Sequence, residues 1–555
     1  MMQEKRNLVR VFLADTNEYQ EVPVGTALID LVPKFQMHFK SPIVAAKVDN
    51  EIKELRYVVS EECKVRFIDM TQEDGMRIYR RSLIFVLIVA TRMLFKEAVN
   101  VQHSLSKGLY CEVENRKLSD EDIVQIKQKM QEIIEKDIPF RREKVTKEEA
   151  VKLFESMGYL DKARTIRFSE NDHVYIYYCG DFVDYFYGHM VPSTGYLKIF
   201  DLIRYQNGMV LLYPDKSDPF KLQEFVENKK LFAVYHEYKN WGKILKVTDV
   251  GELNEVIASG KIREFIRVSE ALHEKKIAYI ADEISRNPNI KVVLISGPSS
   301  SGKTTFAHRL AIQLRVNGKN PVYIGLDDYF YEDRVPLDEN GKPDYESIEA
   351  IDIELFNTQL KDLISGREVI LPKFDFINRK RTFQRRVKLE ENDIIIIEGI
   401  HGLNSRLTPM IDDRNKFKIY VSALTHLNLD KHNRIQTTDY RILRRIVRDA
   451  RARGASAKRT ISMWPSVRNG EEKNIFPYQE MADTMFNSAL IYELAVLKKY
   501  AVPLLKTITK EDEEYSEAQR LLHFLSFILS VDDEREIPPQ SIIREFIGGS
   551  CFYDF

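Results

Sequence analysis

Gly297-Pro298-Ser299-Ser300-Ser301-Gly302-Lys303-Thr304-Thr305 is the stretch that decides the fold of the C-terminal half. Its first eight residues fit GxxxxGK[ST] in full. The apolar run KVVLIS precedes it and the helical pattern KTTFAHRLAIQLRV follows it, which is the strand–loop–helix setting the motif requires. Glycines let the chain curl so that successive N–H groups face one centre, and a helix N-terminus adds a positive dipole end there. Lys303 can reach the outer phosphates of a nucleotide, and the Thr304 hydroxyl can ligate Mg²⁺.

Working outward, PVYIGL, DIIIIEG and KFKIYVS read as further buried strands with helices between them. Continuous apolar strands alternating with helices imply a parallel sheet covered on both faces. Glu398 ends DIIIIE at the C-terminal sheet edge, where α/β folds bind ligands. A GTPase would need a guanine-reading NKxD element, and residues 290–510 contain none.

The set GPSSSGKTT, LDDYFY, PKFDF, IIIIEGIHGLN and RRIVRD resembles the uridine kinase and phosphoribulokinase family over roughly residues 290–505. The resemblance implies ATP and Mg²⁺ as cofactors, Asp327 as the group that takes the acceptor hydroxyl's proton, and Glu398 beside the metal. Asp328 is the rival for the role of Asp327. The resemblance also implies that Arg445, Arg448 and Arg453 stabilise the transferring phosphate, and that Arg453–Asn474 is a mobile lid. Asp344 falls at the family's ribose-binding position and Phe374 at its base-stacking position. Phe374 stands where Tyr is usual, Arg379 where a His reads the uracil edge, and Ala455 where an Arg follows the Arg-Gly pair. A nucleoside kinase, uridine-like or broader, is therefore expected. Pantothenate and pentose phosphates remain acceptors to test.

The N-terminal half has a different texture. Residues 8–68 alternate short β-rich runs with turns, as in a β-grasp-like α+β module. Residues 76–158 read as helix-rich. Ser119 followed by Asp122 is a helix start, and apolar residues at Ile123, Ile126, Met130, Ile133 and Ile134 keep a near-3.6 period. Residues 163–236, with LFAVYHEY at their end, read as β-rich. Residues 250–286 read as helical, up to a stop at Asn287–Pro288.

Residues 8–70 resemble a TGS domain. Residues 76–240, through Cys179-Gly-Asp-Phe-Val-Asp184-Tyr-Phe-Tyr-Gly188-His-Met, resemble the second additional (editing-type) domain of threonyl-tRNA synthetases. That resemblance implies a zinc site whose HxxxH, Cys and His positions are here Arg81, Phe85, Phe186 and Met190, none of them a zinc ligand. The expected outcome is a retained fold without the deacylase chemistry, with Cys179 as a small buried residue.

The expected class is therefore multidomain α/β and α+β. It comprises a TGS-like β-grasp domain (1–72), a synthetase-like second additional domain (73–245), a helical linker (246–288), a P-loop uridine kinase-like domain with a parallel sheet (289–510), and a C-terminal helical extension (511–555). The 555 residues are too many for one core. A formal net charge of −1 argues against a global field for nucleic acid, leaving RNA contact through the N-terminal half as a local question. The alternative function is a nucleotide-gated, RNA-binding or translation-linked regulator. Four cysteines without a CxxC pair, and an apolar run at Leu83–Ala90 too short to span a bilayer, point to a cytoplasmic location with no membrane partner. Residues 516–530 form an amphipathic helix whose apolar side fits either an internal contact or a homo-oligomer.

Overall fold

A computed structural model describes residues 8–337, 341, 343–375, 378–425 and 427–553. The C-terminal half carries a five-stranded, all-parallel sheet in the order Asn320–Gly325, Asp393–Glu398, Val292–Ser296, Lys416–Ser422, Thr484–Asn487. Its strands are apolar because helices cover both faces: all five residues of Val292–Ser296 are buried, as are the four isoleucines of Asp393–Glu398. Register fixes function here. Glu398 pairs with Ile295 on one side and Gly325 on the other, so it lies level with the start of the phosphate-binding loop.

The first module is a mixed sheet in the order Glu18–Pro23, Leu8–Leu13, Cys63–Asp69, Ile43–Val48, Glu51–Glu54. Its central pair is parallel, and the helix Leu28–Phe35 buries Leu28, Leu31 and Phe35 in the module's core. The second module centres on the helix Glu73–Phe95, in which Leu83–Ala90 is entirely buried. The helix Asp120–Glu135 opens on a reciprocal cap: the Asp122 N–H donates to Ser119 Oγ at 3.2 Å, and the Ser119 N–H to Asp122 Oδ2 at 3.0 Å.

Two sequence expectations need correction. The helix-rich reading of 76–158 missed the hairpin Val99–Leu105/Gly108–Val113 and the strand Phe140–Thr146. The hairpin extends a sheet with Gly208–Leu212, and that long-range pairing leaves no helical or turn signature nearby. LFAVYHEY is not β-rich. It lies in the helix Lys229–Leu245, which buries Leu231, Val234, Tyr235 and Tyr238 at i, i+3, i+4 and i+7. The aromatic content suggested a strand, but the spacing is helical.

The two halves are joined through the segment 428–434. Lys162 Nζ sits 2.8 Å from Asp184 and 3.1 Å from Asp430, all three essentially without solvent. His432 Nδ1 meets Asp184 Oδ2 at 2.6 Å. The Val101 N–H donates to the Lys431 carbonyl at 2.8 Å, and the Tyr187 hydroxyl to the Arg434 carbonyl at 2.9 Å. Apolar side chains of the helices Val250–Ala258 and Ile262–Arg286 enter the same cluster as the parallel sheet, so residues 246–288 are packed rather than strung between domains. The helix Tyr515–Leu525 buries Leu521, Phe524 and Leu525 in that cluster, which accounts for its apolar side within the chain. No helix among the described residues is long and apolar enough to cross a membrane.

Candidate active site

The loop 297–302 leads from the strand Val292–Ser296 into the helix Lys303–Val316. A Cβ on Gly297 would meet the Val421 carbonyl oxygen at 1.9 Å, and Gly302 has φ +81°, so both positions require glycine. The loop is clamped from behind. Arg441, 1% exposed, donates to the Ser299 carbonyl at 3.1 Å, and Arg444 donates to the Ser300 carbonyl at 3.2 Å. Their charges are met by Glu471 (2.8 Å from Arg441 Nη2) and Glu493 (2.7 Å from Arg444 Nη2). The arginine-rich helix Thr437–Arg453 thus has two kinds of arginine: a buried pair that holds the loop, and others that face the cleft.

Ser300 Oγ and Ser301 Oγ are buried without a partner. Orphaned hydroxyls at a helix N-terminus suit an anion with several acceptor oxygens. Lys303 Nζ lies 4.0 Å from Glu398 Oε1 and 3.3 Å from the Pro298 carbonyl. The Thr304 hydroxyl reaches Glu398 Oε2 at 3.4 Å, and Tyr323 donates to the same oxygen at 3.0 Å. Thr304 and Glu398 form a hydroxyl–carboxylate pair of the oxygen type that Mg²⁺ accepts. Burial raises the Glu398 carboxyl above its ordinary value, and the nearby Asp327 adds to this against the pull of Lys303.

Asp327 and Asp328 separate cleanly. Asp328 accepts the Phe374 N–H at 3.2 Å and pairs with Lys373 at 3.2 Å, which ties it to the strand Val369–Asp375. Asp327 keeps solvent contact, yet protein crowds it within the cleft. Desolvation raises its carboxyl, Lys303 opposes that rise, and Asp328 reinforces it.

Three cleft arginines converge on Asp449, which is 5% exposed. Arg445 Nε lies 3.3 Å from it, Arg448 Nη2 2.8 Å and Arg453 Nη1 3.6 Å. Arg445 also donates to Ser299 Oγ at 2.9 Å, which puts it at the loop itself. Arg453 is 60% exposed on the rim. The segment read as a mobile lid is the helix Ala457–Asn474, docked by buried Ile461, Trp464 and Val467. Its Glu471 accepts the Ser299 N–H at 3.0 Å, and its Asn474 donates to the Glu346 carbonyl at 2.8 Å.

The acceptor-side residues have the following surroundings. Asp344 accepts the Glu346 N–H at 3.0 Å and so shapes a turn. Glu346 packs its side chain beside Gly470 of the helix Ala457–Asn474. Its carboxyl is raised to about 7 by burial and by Glu471, with Arg445 and Lys303 pulling it down. Nothing local in the sequence separates the two acids. Phe374 is 4% exposed and packs against Phe330 at 5.9 Å, within an apolar cluster. Arg379 is exposed at the tip of the hairpin formed by Val369–Asp375 and Lys380–Val387, with φ +52°.

A further wall comes from the C-terminal extension, which sequence reasoning missed. Thr305 donates to Glu545 Oε2 at 2.6 Å, with the Tyr553 hydroxyl 3.2 Å away. The His308 ring stacks between Tyr323 and Phe552. These contacts span about 240 residues of chain, so no local pattern announces them.

In the N-terminal half, the positions that the resemblance assigns to zinc lie among neighbouring side chains. Phe85 packs on Phe186 at 5.2 Å, the Ser82 hydroxyl contacts Met190 Sδ at 3.3 Å, and Arg81 donates to the His189 carbonyl at 2.7 Å. Cys179 is 1% exposed, and burial lifts its thiol to about 12.

Comparison with known proteins agrees with this division. About 200 residues of the chain are 31% identical to the threonine–tRNA ligase of Thermotoga neapolitana, covering 35% of this chain and 30% of that protein. The corresponding ligase of Clostridium kluyveri is 30% identical over 199 residues, covering 35% of this chain and 31% of that protein. The chain thus spans about a third of the length of the curated relatives it matches. Among solved structures, a possible uridine kinase from Bacillus stearothermophilus is 21% identical, with a TM-score of 0.24 over 36% of this chain and 88% of that chain. Residues 292–493, which hold the loop, Glu398 and the arginine helix, match the model of the Phosphoribulokinase / Uridine kinase family.

Proposed function

We propose that the chain transfers the γ-phosphate of ATP to the 5′-hydroxyl of a nucleoside. What supports this reading is the contrast between the two aspartates: Asp328 is tied to the Phe374 N–H and Lys373, while Asp327 feels the charge of Lys303 and raises the Glu398 carboxyl. When bound, ATP supplies the phosphoryl group and Mg²⁺ neutralises charge on it. The chain's own residues do the rest. Loop amides and Lys303 hold the phosphates. Thr304 and Glu398 hold the cation. Asp327 orients the acceptor hydroxyl and takes its proton at a carboxylate oxygen. Arg445, at the loop through Ser299, and Arg448, which shares Asp449 with it, stabilise charge as it develops, with Arg453 at the rim. Glu346 and Asp344 supply carboxylates for the acceptor's hydroxyls, since a carboxylate can accept from a diol.

The test is ADP release with ATP and Mg²⁺ against a panel of nucleosides, pentose phosphates and pantothenate. Turnover with a nucleoside, and its loss in Asp327→Asn while ATP still binds, is the expected result. Turnover only with a non-nucleoside alcohol would refute the acceptor class.

A second reading is an RNA-binding or translation-linked role for the N-terminal half, favoured by its similarity to threonine–tRNA ligases. It requires salt-dependent retention of tRNA by the full chain. Migration of tRNA unaffected by the protein at low salt would exclude it.

A further inference from the structure

We propose that the recess between the helix Glu73–Phe95 and the segment His432–Gln436 binds the phosphate group of a small phosphorylated ligand, at a site separate from the P-loop. Arg77, Arg80 and Arg81 line it from one helix face, and His432 and Arg434 from the other half of the chain, with Phe186 on its wall. The enclosed part of the recess is about 40 Å³, room for a small anionic group at its open mouth.

The charges around it do not cancel. Arg77 meets Asp74 at 3.3 Å and Glu517 at 2.7 Å. Glu517 is shared with Arg520, which also takes Asp439. Arg80 reaches only as far as the Tyr213 hydroxyl, at 3.5 Å, within hydrogen-bonding range. Arg81 donates to a backbone carbonyl, and Arg434 to Ser104 Oγ at 2.7 Å. Neither has a carboxylate within ion-pair distance among the described residues. Burial draws Arg81 down to about 10, with Arg80 and Arg520 also lowering it, so it remains cationic at neutral pH.

Orphaned polar atoms mark the same place. His432 is 3% exposed; its Nδ1 is engaged by Asp184 while its Nε2 is buried without a partner. Arg434 Nε is buried and unpartnered as well, whereas Arg77 Nε faces Glu73 Oε1 at 3.6 Å, so Arg77 is the compensated arginine of the set. Buried guanidiniums without counter-charge are costly. A phosphate offers acceptor oxygens in the geometry a guanidinium fork matches. The rings of Phe186 and Tyr187 and the side chain of Ile84 give the recess an apolar flank suited to the organic part of a phosphomonoester. The segment from His432 runs directly into the helix Thr437–Arg453, whose Arg441 and Arg445 touch the phosphate loop, so the recess and the loop share one mechanical element.

The test is equilibrium dialysis of the full chain with radiolabelled inorganic phosphate and, separately, ribose 5-phosphate, under saturating Mg²⁺ and ADP. One bound phosphate per chain should persist in Lys303→Ala and weaken at least tenfold in Arg81→Ala and in Arg434→Ala. Arg81→Lys, which keeps the charge and loses the fork, should weaken it several-fold and guards against a misfolded alanine variant. Tighter binding of the ester than of the free ion identifies a phosphorylated metabolite, and equal binding identifies inorganic phosphate. Binding unchanged in both arginine variants, or abolished by Lys303→Ala alone, overturns the proposal. Neither result depends on kinase turnover, so the site and the kinase reading fail independently.

Discussion

The two halves handle their polar centres in opposite ways. In the C-terminal half the loop is stiffened from behind by Arg441 and Arg444, while its front leaves Ser300 and Ser301 hydroxyls unpartnered and crowds Asp327, Glu346 and Glu398 until each carboxyl rises. In the N-terminal half the positions matched to zinc ligands carry Phe85, Phe186, Met190 and Arg81: the two rings pack together, Met190 accepts from the Ser82 hydroxyl, and Arg81 donates to the His189 carbonyl. A centre kept ready for a ligand holds unmet donors and displaced acidities. A centre given over to structure resolves them. The arginine recess next to those positions is the exception in that half.

The sharpest break would come at Asp327. Asp327→Asn should lower kcat by about 10²–10⁴-fold with ATP affinity little changed, measured by coupled ADP release and nucleotide titration. Cys179→Ala should leave turnover unaltered. Next is the junction. Lys162→Met leaves Asp184 and Asp430 buried without their shared cation and should cost about 3–5 kcal/mol. Denaturant titration should show the loss, and two separated transitions would mean that this junction alone couples the halves.

Glu346→Ala should raise the acceptor KM by about 10-fold or more, as loss of a hydrogen bond to a charged group implies, while Asp344→Asn has the smaller effect. The reverse order would restore Asp344 as the binding carboxylate. The mildest test is a pH profile. If Asp327 acts as the proposed carboxylate base, its raised pKa places the acidic limb of kcat/KM above that of an ordinary aspartate, with activity rising as pH rises through it. Asp328→Asn removes one cause of the rise, so the limb should move to lower pH. A limb that stays in place would show that desolvation alone sets it.

Much of the fold was legible because its signals are local. The glycines at 297 and 302, the cap at Ser119 and Asp122, and the four isoleucines before Glu398 act within a few residues of themselves. The site was legible to the same depth: the loop could be read, and the resemblance pointed to Asp327 with Asp328 as its rival, but the contacts that distinguish the two aspartates could not be read. Asp328 is removed from the cleft by a backbone N–H 46 residues away. LFAVYHEY misled because aromatic content spoke for a strand while the partners that bury its helical face lie elsewhere in the chain.

The sequence by itself determined that a GxxxxGK[ST] loop follows an apolar strand and opens a helix in an alternating α/β half. Tertiary structure alone decided that Glu346 packs beside Gly470, that Arg441 and Arg444 brace the loop while Arg445 reaches Ser299, that Glu545, Phe552 and Tyr553 pack on the helix after the loop, and that Lys162, Asp184, Asp430 and His432 lock the halves together. Motifs report what neighbouring residues do to the backbone. Ion pairs and walls form between residues as many as 447 positions apart, and only the folded chain brings them within reach.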